Sequence, residues 1–281
     1  MTKTKRAAEK PVVLFDLDGT LTPPRKSIEW SIVPVLRMLA RCADVGIVSG
    51  SPFAYIQEQG ALMWNSISSL PGASVIIMPC NGTQLFRWSS REQQFTRRYE
   101  LDFKSHLNDT NDASVYKKLV RSILELQLQF MDEHADFMDL AGNFLSYRGS
   151  MVNWSPIGRD AKSTERAAFE ELDRQKNVRD ELCTELRVRL DALGLTDVVF
   201  ALGGVTSIDI YPRGWDKTHA LNHCSDREVW FVGDKCDPGG NDHSIWKKLN
   251  EKGRAYVTTG PMETKRIIEE EILPAVRAIH G

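Results

Sequence analysis

Five short apolar runs, each stopped abruptly by polar residues, constrain this chain more than any other feature. Val12–Phe15 ends at Asp16, and Asp44–Val48 ends at Ser49-Gly50-Ser51. The run 74–78 ends at Pro79-Cys80-Asn81-Gly82, 228–232 ends at Gly233-Asp234, and Ala255–Val257 ends at Thr258-Thr259. A strand apolar on both faces cannot face water on either side, so such runs belong in a parallel sheet covered by helices. Helix-like stretches, such as 27–43, stand between them. The expected fold is therefore α/β, a Rossmann-like parallel sheet. Polar residues at the C-terminal end of each run mark the side on which open α/β sheets bind ligands.

The middle of the chain follows another pattern. Residues 115–132 carry Val115, Leu119, Ile123, Leu126 and Phe130 at helical spacing. The runs 144–148 and 151–154 flank Gly149-Ser150, and 198–202 and 205–211 flank Gly203-Gly204, which predicts two hairpins. Residues 164–193 are helical in composition and long enough for two helices. Hairpins plus helices predict an α+β domain inserted into the parallel one. The boundaries drawn are 1–85 and 214–281 for the core, with the insert over 86–213.

Composition excludes several classes. Of 281 residues 42% are apolar and 26% charged, which suits a globular protein rather than a disordered one. Lys+Arg total 36 against 38 Asp+Glu, so no basic excess points to nucleic acid. The basic opening MTKTKRAAEK is followed by too short an apolar run for a secretory signal, and no stretch is apolar enough to span a membrane. Five scattered cysteines without a C-x-x-C pair predict reduced thiols and a cytoplasmic location. The six histidines lack metal-ligand spacing and receive no role, with His243 expected on a helix surface.

Chemistry concentrates in Asp16-Leu17-Asp18-Gly19-Thr20-Leu21-Thr22. Carboxylates two apart on an extended segment point the same way, and Gly19 permits a sharp turn after them. One carboxylate can attack phosphorus while the other handles the proton of the leaving oxygen. A cation such as Mg²⁺ would neutralise the approaching phosphate oxygens. Asp234 can complete that metal site, Lys217 can offer a point charge, and Ser49 a hydroxyl. Taken singly, these positions also read as a strand-ending turn, a surface lysine and a capping serine. A remote phosphate would need arginines, and Arg148, Arg159 and Arg166 lie in the insert. Ser207, Asp209 and Tyr211 share one strand face, and Ile208 and Ile210 the other.

The runs FDLDGTLTPPR (15–25), NWSPIGR (153–159), SIDIYPRGWDK (207–217) and GDKCDPGGNDH (233–243) together resemble the haloacid-dehalogenase (HAD) superfamily. Within it they are similar to the eukaryotic-type phosphomannomutases. The resemblance implies interconversion of mannose 1-phosphate and mannose 6-phosphate, supplying GDP-mannose synthesis. It further implies an aspartyl-phosphate on Asp16, Asp18 as acid/base, and Mg²⁺ held by Asp16, Asp234 and the Asp18 carbonyl. Ser49 and Lys217 become phosphate ligands, and Arg25, Arg148, Arg159, Arg166, Ser207 and Asp209 become substrate ligands. A hexose 1,6-bisphosphate activator and a homodimer through the cap are also implied. Departures from the family pattern are Ser49-Gly50-Ser51-Pro52, Cys80, Arg148-Gly149-Ser150-Met151 and Lys248, the last where an acidic ligand for a second cation often stands. A sugar-phosphate phosphatase, a broad-specificity phosphoglucomutase/phosphomannomutase and a catalytically idle binding protein stay open as alternatives.

Overall fold

A computed structural model describes residues 10–110, 114–135, 137 and 140–280. Two units emerge, one from residues 1–100 and 216–281 and the other from 101–215. In chain order the first contributes β1 (Val12–Phe15), β2 (Asp44–Val48), β3 (Val75–Met78), β4 (Gln84–Ser89) and β5 (Gln94–Glu100). The second contributes β6 (Leu145–Tyr147), β7 (Val152–Trp154), β8 (Val198–Gly203) and β9 (Ser207–Pro212). The chain then returns to the first with β10 (Val229–Gly233) and β11 (Ala255–Val257).

The large sheet runs β11-β10-β1-β2-β3-β4-β5. Its members from β11 to β3 are parallel, and β4 and β5 are antiparallel additions. Every residue of β1, β2, β3 and β10 is buried, as the continuous apolar runs demand. Alternation then divides the side chains between two cores. Val13, Phe15, Val45, Ile47, Ile77 and Val232 face one, with Leu36, Trp64, Ile268 and Ile272 from covering helices. Val12, Leu14, Ile76, Met78 and Phe231 face the other, against Ala220, Cys224, Ile245 and Leu249. The structure is thus α/β, as expected, but β4 and β5 make the expected parallel sheet a mixed one; all five cysteines are unpaired.

Two local expectations differ. The stretch 27–43 holds a helix only at Val33–Leu39, with Pro34 in its first turn. Proline fits there because a first-turn N–H has no intrahelical partner. Before it, Ile28 and Ile32 are buried from irregular and turn backbone rather than from a helix. The expected boundary at 85/86 falls inside β4, because the β4–β5 hairpin extends the large sheet. Aromatic side chains anchor this hairpin: Phe86 stacks on Phe53 at 3.9 Å, and Phe95 meets Trp64 edge-on at 5.6 Å. Its turn places Gln93 at φ 53° instead of using a glycine, so no turn signal announced it.

The second unit holds an antiparallel sheet ordered β6-β7-β9-β8. Helices Val115–Glu133, Ser163–Lys176 and Val178–Ala192 accompany it, the last two separated by Asn177 in the left-handed region. Among the described residues no helix is long and apolar enough to cross a membrane.

Candidate active site

The C-terminal ends of β1 and β10 bring carboxylates together. The Asp16 N–H donates to the Val232 carbonyl at 3.0 Å, so Asp16 is still held by the sheet when the chain leaves it. Leu21 and Thr22 N–H groups then both donate to the Leu17 carbonyl, folding 17–22 into a tight loop. Gly19 sits in that loop at φ +84°, where a Cβ would lie 2.4 Å from Asp234 Oδ2. Glycine is therefore required twice over, by backbone conformation and by the approach of Asp234. At the loop's far side Thr264 donates its hydroxyl to the Thr20 carbonyl at 2.9 Å and lies 2.9 Å from the Thr258 hydroxyl.

Lys217 opens a 3₁₀ helix, Lys217–Cys224, whose start is capped by Asp216 accepting from Thr218 N–H at 2.8 Å. Its side chain is fully buried, and its Nζ donates to Asp16 Oδ1 at 2.6 Å and to Asp242 Oδ1 at 2.5 Å. Asp242 is equally buried and accepts the Lys235 N–H at 3.1 Å, which closes the loop after β10. Burial pulls the Lys217 pKa down, but its two carboxylate partners, Asp16 and Asp242, outweigh that and hold the ammonium above its usual range.

Asp16, Asp234 and Asp242 each offer an oxygen, all within 4.8 Å of one another. Asp234 Oδ1 is buried with no hydrogen-bond partner among the described residues. With all three carboxylates ionised, the one ammonium leaves an excess of two negative charges in a largely buried cluster. Burial pushes the Asp16 carboxyl up to about 7, Lys217 opposing and Asp242 adding to the rise. Asp234 is also raised, by burial first and then by Asp242. Hard oxygen donors, an orphaned oxygen and a twofold charge deficit all fit a divalent cation such as Mg²⁺.

The other expected groups of this unit stand nearby in sequence and structure. Asp18 is half-buried, and its Oδ1 accepts the Arg25 N–H at 2.6 Å, with Arg25 at φ 61°. Burial, then the Asp18 charge, push the Tyr55 hydroxyl up. Ser49 is buried at the end of β2, its hydroxyl accepting the Ser51 N–H at 3.1 Å. Asn81, whose N–H donates to the Ser49 carbonyl at 2.9 Å, follows Cys80; both adopt left-handed backbone.

In the second unit the antiparallel sheet presents a polar face. Register sets Asn153 of β7 opposite Asp209 of β9, and Asn153 donates to Asp209 Oδ1 at 2.6 Å. Arg159 donates to Asn153 Oδ1 at 2.5 Å, and an Arg148 nitrogen lies 3.8 Å from Asp209 Oδ1. Ser207 begins the same strand, its hydroxyl donating to the Gly203 carbonyl at 2.6 Å. Arg166 lies in the first turn of Ser163–Lys176. The structure thus joins Asp209 to Arg148 and, through Asn153, to Arg159, whereas among the described residues no side-chain hydrogen bond ties Ser207 to them.

Three contributors escaped the sequence reading. Asp242 sits within the GGND run, where Asp and Asn are also ordinary turn residues. Asn153 joins Asp209 to Arg159, but only strand register reveals it. His243 opens the helix His243–Asn250 half-buried, and its Nδ1 lies 2.7 Å from the Cys236 carbonyl, a contact that sequence spacing did not reveal.

Known proteins share both the fold and the sequence. A solved structure of an IMP-bound mutant of Plasmodium falciparum IMP-nucleotidase is similar (TM-score 0.65, 11% identity, 94% of this chain and 67% of that one). So is the C. albicans trehalose-6-phosphate phosphatase C-terminal domain (TM-score 0.52, 14% identity, 93% and 91%). At those identities the likeness concerns fold alone. Arabidopsis thaliana phosphomannomutase is 32% identical over 255 residues, 90% of this chain and 93% of its own. The Encephalitozoon cuniculi phosphomannomutase is 32% identical over 268 residues, 94% of each chain. Residues 32–274 match the family described as eukaryotic phosphomannomutase. With that match and relatives above 30% identity covering at least nine-tenths of both chains, the chain belongs to the eukaryotic phosphomannomutase family.

Proposed function

We propose that this enzyme interconverts mannose 1-phosphate and mannose 6-phosphate. The observation that carries the reading is the buried Lys217 ammonium shared by Asp16 and Asp242 beside the unpartnered Asp234 oxygen. Asp16 attacks the phosphorus of a hexose 1,6-bisphosphate, and the sugar oxygen leaves as its bond to phosphorus breaks. Asp18 protonates that oxygen and later takes a proton from the incoming hydroxyl. Lys217 orients Asp16 and, with Ser49, offsets charge on the transferred phosphoryl group. Mg²⁺, held by Asp16, Asp234, the Asp18 carbonyl and now Asp242, would supply further charge neutralisation.

Arg25, Arg148, Arg159 and Arg166 bind the substrate's remaining phosphate, for which planar bidentate donors are suited. Ser207 and Asp209 bind sugar hydroxyls. A trace of hexose 1,6-bisphosphate primes Asp16, and the product feeds GDP-mannose synthesis in the cytoplasm. The exposed pair Leu124 and Leu128, four apart on the helix Val115–Glu133, supports a homodimer through the second unit.

A phosphorus NMR time course with mannose 1-phosphate, Mg²⁺ and trace glucose 1,6-bisphosphate tests the reaction. Mannose 6-phosphate should grow, and only when the bisphosphate is present. Growth of inorganic phosphate alone would mean that water takes the phosphoryl group from Asp16 and that the enzyme is a phosphatase.

A further inference from the structure

A polar cavity of about 420 Å³ opens in the first unit, lined by Lys10, Asp44, Arg87, His223 and Arg227. Lys10, Asp44 and Arg227 precede or open β1, β2 and β10, so they mark the N-terminal edge of the parallel strands. Arg87 of β4 pairs with Ile76, beside the start of β3. Asp16 and Asp234 stand at the opposite edge. Lys10 lies six residues before Asp16, or roughly 20 Å along an extended chain. His223 lies six residues after Lys217, or roughly 12 Å along a 3₁₀ helix. The cavity is thus separate from the carboxylate cluster.

Its charges do not cancel. Asp44, the lone carboxylate of the lining, is matched by Arg227 at 2.7 Å, both side chains being about one-tenth exposed or less. Arg227 is further committed to the Lys10 carbonyl, which accepts its Nε at 2.7 Å. Among the described residues that leaves Lys10, whose ammonium donates only to the Gly72 carbonyl at 2.9 Å, and Arg87, which has no ion-pair partner. The His223 Nε2–H donates to the Gly82 carbonyl at 2.8 Å, which fixes the neutral tautomer and leaves Nδ1 as the atom that can take a proton. Burial, with Arg87 adding to it, lowers the His223 pKa and so favours the neutral imidazole. Two unmatched cations and a protonatable ring, in a volume typical of small-molecule sites, suit a doubly charged anion. Arg87 offers the planar fork that phosphate oxygens accept.

We propose that this cavity binds the phosphate group of a small phosphomonoester through Arg87, Lys10 and His223. Binding adds negative charge beside His223, so the ring takes up a proton from solvent at Nδ1, and that N–H donates a hydrogen bond to a phosphate oxygen. The test uses protein labelled with ¹³C at histidine rings, kept free of divalent cations by a chelator. Inorganic phosphate, a hexose 6-phosphate and a nucleoside monophosphate are titrated separately at constant ionic strength. The His223 resonance, identified by its loss in His223→Gln, should move saturably and equally in Asp16→Asn. Arg87→Gln should weaken the response at least about ten-fold, and Lys10→Gln several-fold, with unchanged folded-state spectra. The ligand that saturates at lowest concentration identifies the source of the phosphate. A non-saturating shift matched by chloride, a response indifferent to Arg87→Gln, or one lost in Asp16→Asn overturns the proposal.

Discussion

The two sheets place chemistry by opposite rules. In the parallel strands β1, β2, β3 and β10 both faces are buried, so the site's polar groups stand just past the strand ends: Asp16 after β1, Ser49 after β2, Asp234 after β10. In the four-stranded sheet one face is apolar, with Ile208 and Ile210 buried, and the other carries Asn153 and Asp209 along the strands themselves. The electrostatics differ as sharply. Around Lys217 negative charge is in excess and burial is nearly complete, whereas around Asp209 the arginines outnumber the carboxylate. A strand-end cluster of one sign calls for a cation; a sheet face of the other sign calls for an anionic substrate.

The largest effect should separate the two sites by reaction outcome. Asp16→Asn should cost roughly 10³-fold or more in turnover, both in transfer to sugar and in transfer to water. Arg166→Ala should lose mutase activity yet keep slow hydrolysis of the sugar phosphate. Equal loss of both activities in the two variants, measured by phosphorus NMR, would erase the distinction.

Next comes stability. Lys217→Met leaves Asp16 and Asp242 facing each other in a buried space without their cation. It should cost about 3–5 kcal/mol in denaturant titrations of the metal-free protein. Added Mg²⁺ should recover part of that loss, and in Asp234→Asn the recovery should shrink. Removing the Arg159 contact on the second sheet, by Arg159→Ala, should cost about 1 kcal/mol, because the neutral Asn153 partner is easier to leave unpaired.

A smaller effect tests how the catalytic loop is braced. Thr264→Val removes the hydroxyl that reaches the Thr20 carbonyl and should destabilise by about 1 kcal/mol. Turnover should fall further than that stability loss implies if the brace positions Asp18; a change in stability alone would make the link structural.

The smallest effect concerns pH. The folded-state pKa of His223 is depressed by burial, so the unfolded chain binds its proton more readily. Its stabilising contribution is complete above the unfolded value and fades as pH falls through the folded one. His223→Gln should therefore flatten part of the acid-side decline in melting temperature. An unchanged decline would assign it to other groups.

What the sequence conveyed follows the same division. The ends of β1, β2 and β10 were legible because an apolar run that stops at Asp or Ser announces both a strand and the edge where ligands bind. The polar face of β9 was legible from alternation. Asp242 was not, since an acid in a Gly-Asn-Asp loop resembles any turn, and only the fold carries it back to Lys217. The β4–β5 hairpin was missed because its outer residues are charged and its turn uses Gln93. The stretch before Val33 misled because burial from turns imitates helical periodicity.

The strand order has a consequence for synthesis. β1 is flanked by β2 and β10, and Val12 pairs with Val229. At about 5–20 residues per second, a ribosome needs roughly ten to forty seconds to travel from one to the other. Throughout that interval the nascent chain carries an apolar strand with one edge unpaired, while 101–215 emerges complete and free to fold first. Newly made copies are thus most vulnerable to edge-to-edge aggregation just before β10 arrives, and slow translation between these strands would prolong the hazard.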